Sequence, residues 1–99
     1  MNMQAMLQQA QRMQKEIQKK QEKIYSSEYV GESELVEITM TGDKKVKSVK
    51  LKNMDTFTND DSDILEDMIK IAFNDAVDKI NKDIEDKLGS YSKQLGGLM

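Results

Sequence analysis

Neither cysteine nor histidine occurs in these 99 residues. Without thiols there are no disulfides, no thiolate nucleophiles and few routes to a zinc site. Without imidazole, soft-metal binding and the commonest general base are excluded as well. Catalysis would have to rest on a carboxylate, lysine, tyrosine or serine constellation, and none stands in a recognisable motif. The chain therefore reads as neither an enzyme nor a carrier of a metal or cofactor, and a reducing cytoplasm suits it. Proline and tryptophan are also absent, and two phenylalanines and three tyrosines supply all the rings. The core must come from Ile, Leu, Val and Met, with eight methionines making it adaptable. No uninterrupted apolar run exceeds three residues, as at Ile71-Ala72-Phe73, and glutamines stand where a signal peptide would need apolar side chains. Neither export by a signal peptide nor a membrane span is expected.

What is present is charge, distributed in blocks. Charged residues make up 33 % of the chain against 37 % hydrophobic, with a net charge of −3 and a pI near 5.0. Residues 1–25 carry a net +3, 26–42 carry −4, 43–52 carry +4 and 53–88 carry −7. A chain of this length makes one domain and buries only roughly 60 to 70 % of its unfolded surface, so self-association would help it.

The stretch Met3 to Ile24 carries apolar residues at Met3, Met6, Ala10, Met13, Ile17 and Ile24. That is heptad spacing, broken at one seam position by Lys20. Arg12, Lys15, Lys19 and Lys23 gather on the opposite side. One face is set for protein and the other for solvent or a polyanion. A helix over about 3–25 is expected, and its seam of ~33 Å is longer than a small sheet covers, which makes a second copy of the chain the obvious partner. Ser26 and Ser27 favour an end there.

From Glu28 the period changes. Val30 to Ser33 reads as a short strand or bulged entry, and Leu35 to Thr41 alternates with Val36, Ile38 and Met40 on one face. Gly42-Asp43 has the length and residue type of a hairpin turn before Lys44 to Lys52. In that returning strand the apolar parity slips between Val46 and Val49. Either a bulge re-phases it, or Val46 faces outward against a partner chain. The strands thus occupy about 28–52.

After a connector, a second helix is expected over about 61–88. Asp60, Asp61, Asp63, Glu66 and Asp67 cluster at its positive end, where carboxylates suit the helix dipole. A calcium loop would need a glycine and a later glutamate that are missing, so the cluster reads as capping. Leu65, Met68, Ile69, Ala72, Phe73, Ala76, Val77, Ile80 and Ile84 form a wide apolar face suited to lie across a sheet, with Phe73 in its middle. Asn74 and Asp75 flank that face and are expected to hydrogen-bond to the sheet or to a dimer mate. Gly89 reads as the C-cap, with a mobile tail over 89–99.

The architecture is therefore α+β, in the order α-β-β-β-α: a small antiparallel sheet between a long N-terminal helix and a long C-terminal core helix. Three motifs make it resemble the YbaB/EbfC family of bacterial nucleoid-associated proteins. They are Met6-Leu7-Gln8-Gln9-Ala10-Gln11-Arg12-Met13-Gln14 in the first helix, Val30-Gly31-Glu32-Ser33 leading through Leu35-Val36 to Gly42, and Leu65-Glu66-Asp67-Met68-Ile69 followed by Ala72-Phe73-Asn74-Asp75-Ala76 and Lys79. Together they cover essentially the whole chain. Lys20 departs from the apolar seam, and Lys52-Asn53-Met54 stands where the family commonly has a proline.

The resemblance implies a two-fold homodimer whose sheets form a shared body and whose first helices project like arms. It also implies duplex DNA as partner, bound with limited sequence preference, in the nucleoid of the cytoplasm, to organise the chromosome or modulate expression. The residues for that role are Arg12, Lys15, Lys19 and Lys23, with Lys20 as a further candidate. Lys45 and Lys47 are weaker ones, because lysine on an edge strand also guards against unwanted pairing. Met6, Met13, Ile17 and Val46 are the candidate dimer contacts. The alternative is a dimeric adaptor that holds replication or recombination proteins and touches DNA weakly.

Overall fold

A computed structural model describes residues 2–94, and the surroundings of side chains as far as Tyr91. Helix α1 spans Met3–Ser26, a run of good helix formers started by Asn2, whose side chain accepts from the Ala5 amide at 2.7 Å. It stops where Ser26 and Ser27 turn their hydroxyls onto the Lys23 carbonyl, at 3.2 and 2.6 Å, and Ser27 adopts extended backbone. Strands β1 (Glu28–Glu32), β2 (Val36–Thr41) and β3 (Lys45–Leu51) follow as an antiparallel sheet in the order β1-β2-β3. The β2–β3 turn includes Lys44 at a φ of 65°.

The parity slip resolves as a bulge. Thr39 pairs with Ser48 but Met40 pairs with Val46, which leaves Lys47 as the extra residue. Val46, Val49 and Leu51 oppose Met40, Ile38 and Val36, so all three share the sheet face of the β2 core residues.

Two short 3-10 turns, Met54–Thr56 and Asn59–Asp61, lead into α2 (Ser62–Gln94). A capping box starts it: Asp61 accepts from the Thr58 amide at 2.9 Å and from its hydroxyl at 3.2 Å. The helix does not end at Gly89 as expected. It continues to Gln94, because Tyr91 finds partners on α1, and such packing offsets the roughly 1 kcal/mol that an internal glycine costs a helix. The tail expected over 89–99 is thus helical to Gln94, and the rest of it lies outside the described residues.

The core consists of Val36, Ile38 and Met40 from β2 and Ala72, Ala76 and Ile80 from α2, with Tyr29, Leu35, Leu65, Met68, Val77 and Ile84 packed around it. The small side chains of α2 allow close approach. A Cβ on Gly31 would lie 2.0 Å from the Ala72 carbonyl oxygen and 2.5 Å from the Ala76 amide nitrogen. Drawn down onto β1 and β2 in this way, α2 leaves the β3 side of that face uncovered. Phe73 is consequently not a core residue within one chain. It is 40 % exposed, as is Ile69, and Val46, Val49 and Leu51 are about half exposed.

The two sheet edges differ. Asp75 accepts from the Glu32 amide at 3.0 Å and Lys79 donates to the Val30 carbonyl at 2.6 Å, so α2 satisfies one outward amide and one outward carbonyl of β1. The hydrogen bond expected from Asp75 to the sheet is this one. The outer edge of β3 has no partner among the described residues. At the other end, a Cβ on Gly42 would lie 1.9 Å from the Ile24 carbonyl oxygen, which fixes the foot of α1 against the β2–β3 turn. From that foot α1 projects, and the molecule measures 70 × 21 × 14 Å. Its radius of gyration of 19.5 Å far exceeds the ~13 Å of a compact chain of this length.

Candidate nucleic-acid interface

Of the 24 residues of α1, only Ile24 is fully buried. Met13 and Ile17 are half-buried, while Met3, Met6 and Leu7 near the tip are 57 to 79 % exposed. The seam is met along its last turns by α2 of the same chain. Lys20, the residue that interrupts it, donates to the Tyr91 hydroxyl at 3.0 Å, and its ammonium lies 4.8 Å from the ring centroid. Tyr91 in turn donates to Glu16 at 3.4 Å. A shallow cleft lined by Gln9, Arg12, Met13, Glu16, Ser90 and Tyr91 marks this junction. Among the described residues the arm is therefore two helices thick near its foot and one helix thick towards its tip.

Lys15, Lys19 and Lys23 stand exposed away from that junction and Arg12 stands exposed at its rim, and none of the four forms an ion pair among the described residues. Their offsets of three, four and four place them within one arc, where they can follow a line of phosphates. The strand candidates are differently placed. Lys47, pushed out by the bulge, pairs with Glu28 across the sheet, and Lys45 lies 3.9 Å from Asp43. Both pairs are exposed and contribute little to stability, but they offset charge that the arm leaves available. Val46, a candidate dimer contact, sits on the uncovered face of β3, far from the exposed Met6 near the arm's tip.

The charge network that holds α2 was missed in the sequence because it spans distant positions. Tyr29 donates to Asp83, which also accepts from Lys87 at 3.1 Å. Burial, and then the bond to Asp83, push the Tyr29 phenol up to about 12, while that same bond holds Asp83 below the usual carboxylate range. The Glu32 amide does the same for Asp75. In the turn, Asp43 is lowered first by the Thr41 hydroxyl.

Among the described residues no group of three or more His, Cys, Asp or Glu side chains could hold a metal ion, and no helix is long and apolar enough to cross a membrane. The features that stand out are a projecting basic helix and an uncovered apolar sheet face, which are surfaces for macromolecules.

Comparison with known proteins agrees with that class. The model of the YbaB/EbfC DNA-binding family matches residues 1–95. A nucleoid-associated protein of Enterococcus faecalis is 43 % identical over 99 residues, covering 98 % of this chain and 94 % of its own. One from Lactococcus lactis subsp. cremoris is 42 % identical, with 96 and 97 % covered, and one from Streptococcus pneumoniae is 38 % identical with the same coverage. The chain belongs to the YbaB/EbfC family.

Proposed function

We propose that this protein is a nucleoid-associated protein that binds duplex DNA along the basic face of α1, with limited sequence preference, as a homodimer. The observation that carries the reading is a set of four cations on a projecting helix with no ion pair among the described residues, in a chain whose family is described as DNA-binding. The dimer is proposed through the sheet. Val46, Val49, Leu51, Ile69 and Phe73 are all exposed, and β3 offers an unpaired edge beside them. Ile69 and Phe73 lie on the flank of α2 opposite Asp75 and Lys79, which reach the β1 edge, so this flank overhangs the β3 side. A second copy would cover that apolar face and set two arms on one body. The nucleoid as location follows from the names of the relatives, and the acidic α2 would face away from the duplex.

The test is a titration of labelled duplex by fluorescence anisotropy at several salt concentrations. If about half of the eight arm cations of a dimer neutralise phosphates, log affinity falls with log salt at a slope of about −4. Lys15→Glu with Lys19→Glu should abolish binding at moderate salt and leave the fold intact. Lys45→Glu with Lys47→Glu should weaken it less. The arm variant binding as tightly as wild type, with the strand variant failing, would move the contact from the arm to the sheet. A second reading, an adaptor for replication or recombination proteins, draws on the exposed Met3, Met6 and Leu7 near the arm's tip. Partner capture that survives high salt while DNA binding is lost would favour it.

A further inference from the structure

Seven of the eight glutamines in the chain lie in α1. Gln4, Gln8, Gln11 and Gln18 fall with Lys15 at successive offsets of four, three, four and three, which makes a straight stripe on the helix. All five are exposed. The stripe is centred opposite the seam that meets α2, and Arg12, Lys19 and Lys23 run along one flank of it.

Solubility alone does not require this choice of residue. The exposed side of α2 is kept soluble by acids and lysines, the i,i+4 pairs Asp75–Lys79 and Asp83–Lys87 run along its β1 border, and the helix carries no glutamine before Gln94. The outer side of α1 forms no such pair among the described residues. An amide carries a donor and an acceptor in one plane. That is the complement of adenine in the major groove, which presents N7 as acceptor and the N6 amino group as donor. The groove is about 12 Å wide and admits a helix, and a helix of 24 residues spans ~36 Å, near one turn of the duplex. With the stripe turned inward, the flanking cations meet the phosphate backbone that borders the groove.

We infer that the glutamine stripe, with Gln8 and Gln11 at its centre, reads adenine edges in the major groove. This rests on the proposed DNA binding and adds to it the source of whatever base preference the protein has. Phosphate contacts from Arg12, Lys19 and Lys23 then position the helix without discriminating sequence, and the amides discriminate.

The experiment titrates the full chain against three duplexes of identical sequence and charge. One is unmodified, one carries 7-deazaadenine in place of every adenine, and one carries 7-deazaguanine in place of every guanine. Wild type should bind the deazaadenine duplex about five-fold or more weakly than the unmodified one, since a bidentate contact loses its acceptor. The Gln8→Ala, Gln11→Ala double variant, whose helix content is checked by circular dichroism, should bind all three alike while keeping the salt slope of wild type. Equal wild-type affinity for the unmodified and deazaadenine duplexes would overturn the inference and leave the arm contact standing. A loss confined to the deazaguanine duplex would also overturn it, assigning base reading to Lys15. Failure of wild type to bind any duplex at low salt would remove the underlying proposal and this inference together.

Discussion

The two helices meet water in opposite ways. α2 commits one side to the sheet, dresses the other with acids and lysines, and uses Asp75, Lys79 and Asp83, joined in two ion pairs along that border, to hold β1. Among the described residues α1 fully buries only Ile24, leaves Arg12, Lys15, Lys19 and Lys23 without an ion pair and draws its polarity from amides as well as charges. Side chains that are paired at home are held for the fold, and those left unpaired are available to a partner. The stability of the domain should therefore be concentrated in α2, and its binding in α1.

The largest expected effect comes from forcing α2 off the sheet. Gly31→Val would drive a side chain into the Ala72 and Ala76 backbone, and should cost about 4 kcal/mol or more, a large part of a small domain's stability. Urea melts should show it, and a midpoint near that of Lys15→Ala would mean that β1 and α2 are not in close contact. Ile80→Ala should cost about 2 to 5 kcal/mol for the buried volume lost.

Phe73 sharpens the contrast between one chain and two. Phe73→Asp should keep the helix content and shift the mass in sedimentation from about 23 kDa to the 11.4 kDa of one chain. Retention of a dimer would place the interface elsewhere than the uncovered face.

A smaller effect follows from pH. Asp75 and Asp83 are held below the ordinary carboxylate range, so the stability they contribute is present above about pH 4 and is lost as pH falls through their lowered values. Tyr29 acts at the other end: raised from 10.0 to about 12, its contribution is present below pH 10.0 and is lost as pH rises towards 12. Chemical melts of Asp83→Asn should flatten both limbs relative to wild type, and an unchanged profile would separate stability from this network. The smallest change belongs to the arm's foot. Tyr91→Phe keeps the ring under Lys20 and removes only exposed hydrogen bonds, so its melt should move by less than about 1 kcal/mol.

Periodicity made the elements legible. The alternation of Val36, Ile38 and Met40, the slip between Val46 and Val49 and the acids before Ser62 each led to a feature that the fold contains. What failed depended on where one element sits on another. Phe73 lies on the apolar face of α2, yet the close approach at Gly31 sets the helix over β1 and β2 and leaves that ring outside. Gly89 carries the local signal of a helix end, and a tyrosine two residues later overrides it through α1. In the candidate site the four free cations were visible from spacing alone. The partners of Lys20 and Lys47 were not, since Tyr91 and Glu28 lie 71 and 19 residues away in the chain.

The closed border of β1 limits growth as well as shape. A sheet with two open borders can add copies at both and extend without end, as a fibre does. Here Asp75 and Lys79 already occupy the Glu32 amide and the Val30 carbonyl on the outward side of β1, which leaves β3 as the more open border for a newcomer. Once two copies meet there, each would have only the partly occupied β1 border left to offer. In the proposed dimer, assembly through the sheet would stop at a pair, and a chromosome carrying many copies would gather discrete clamps rather than a protein filament.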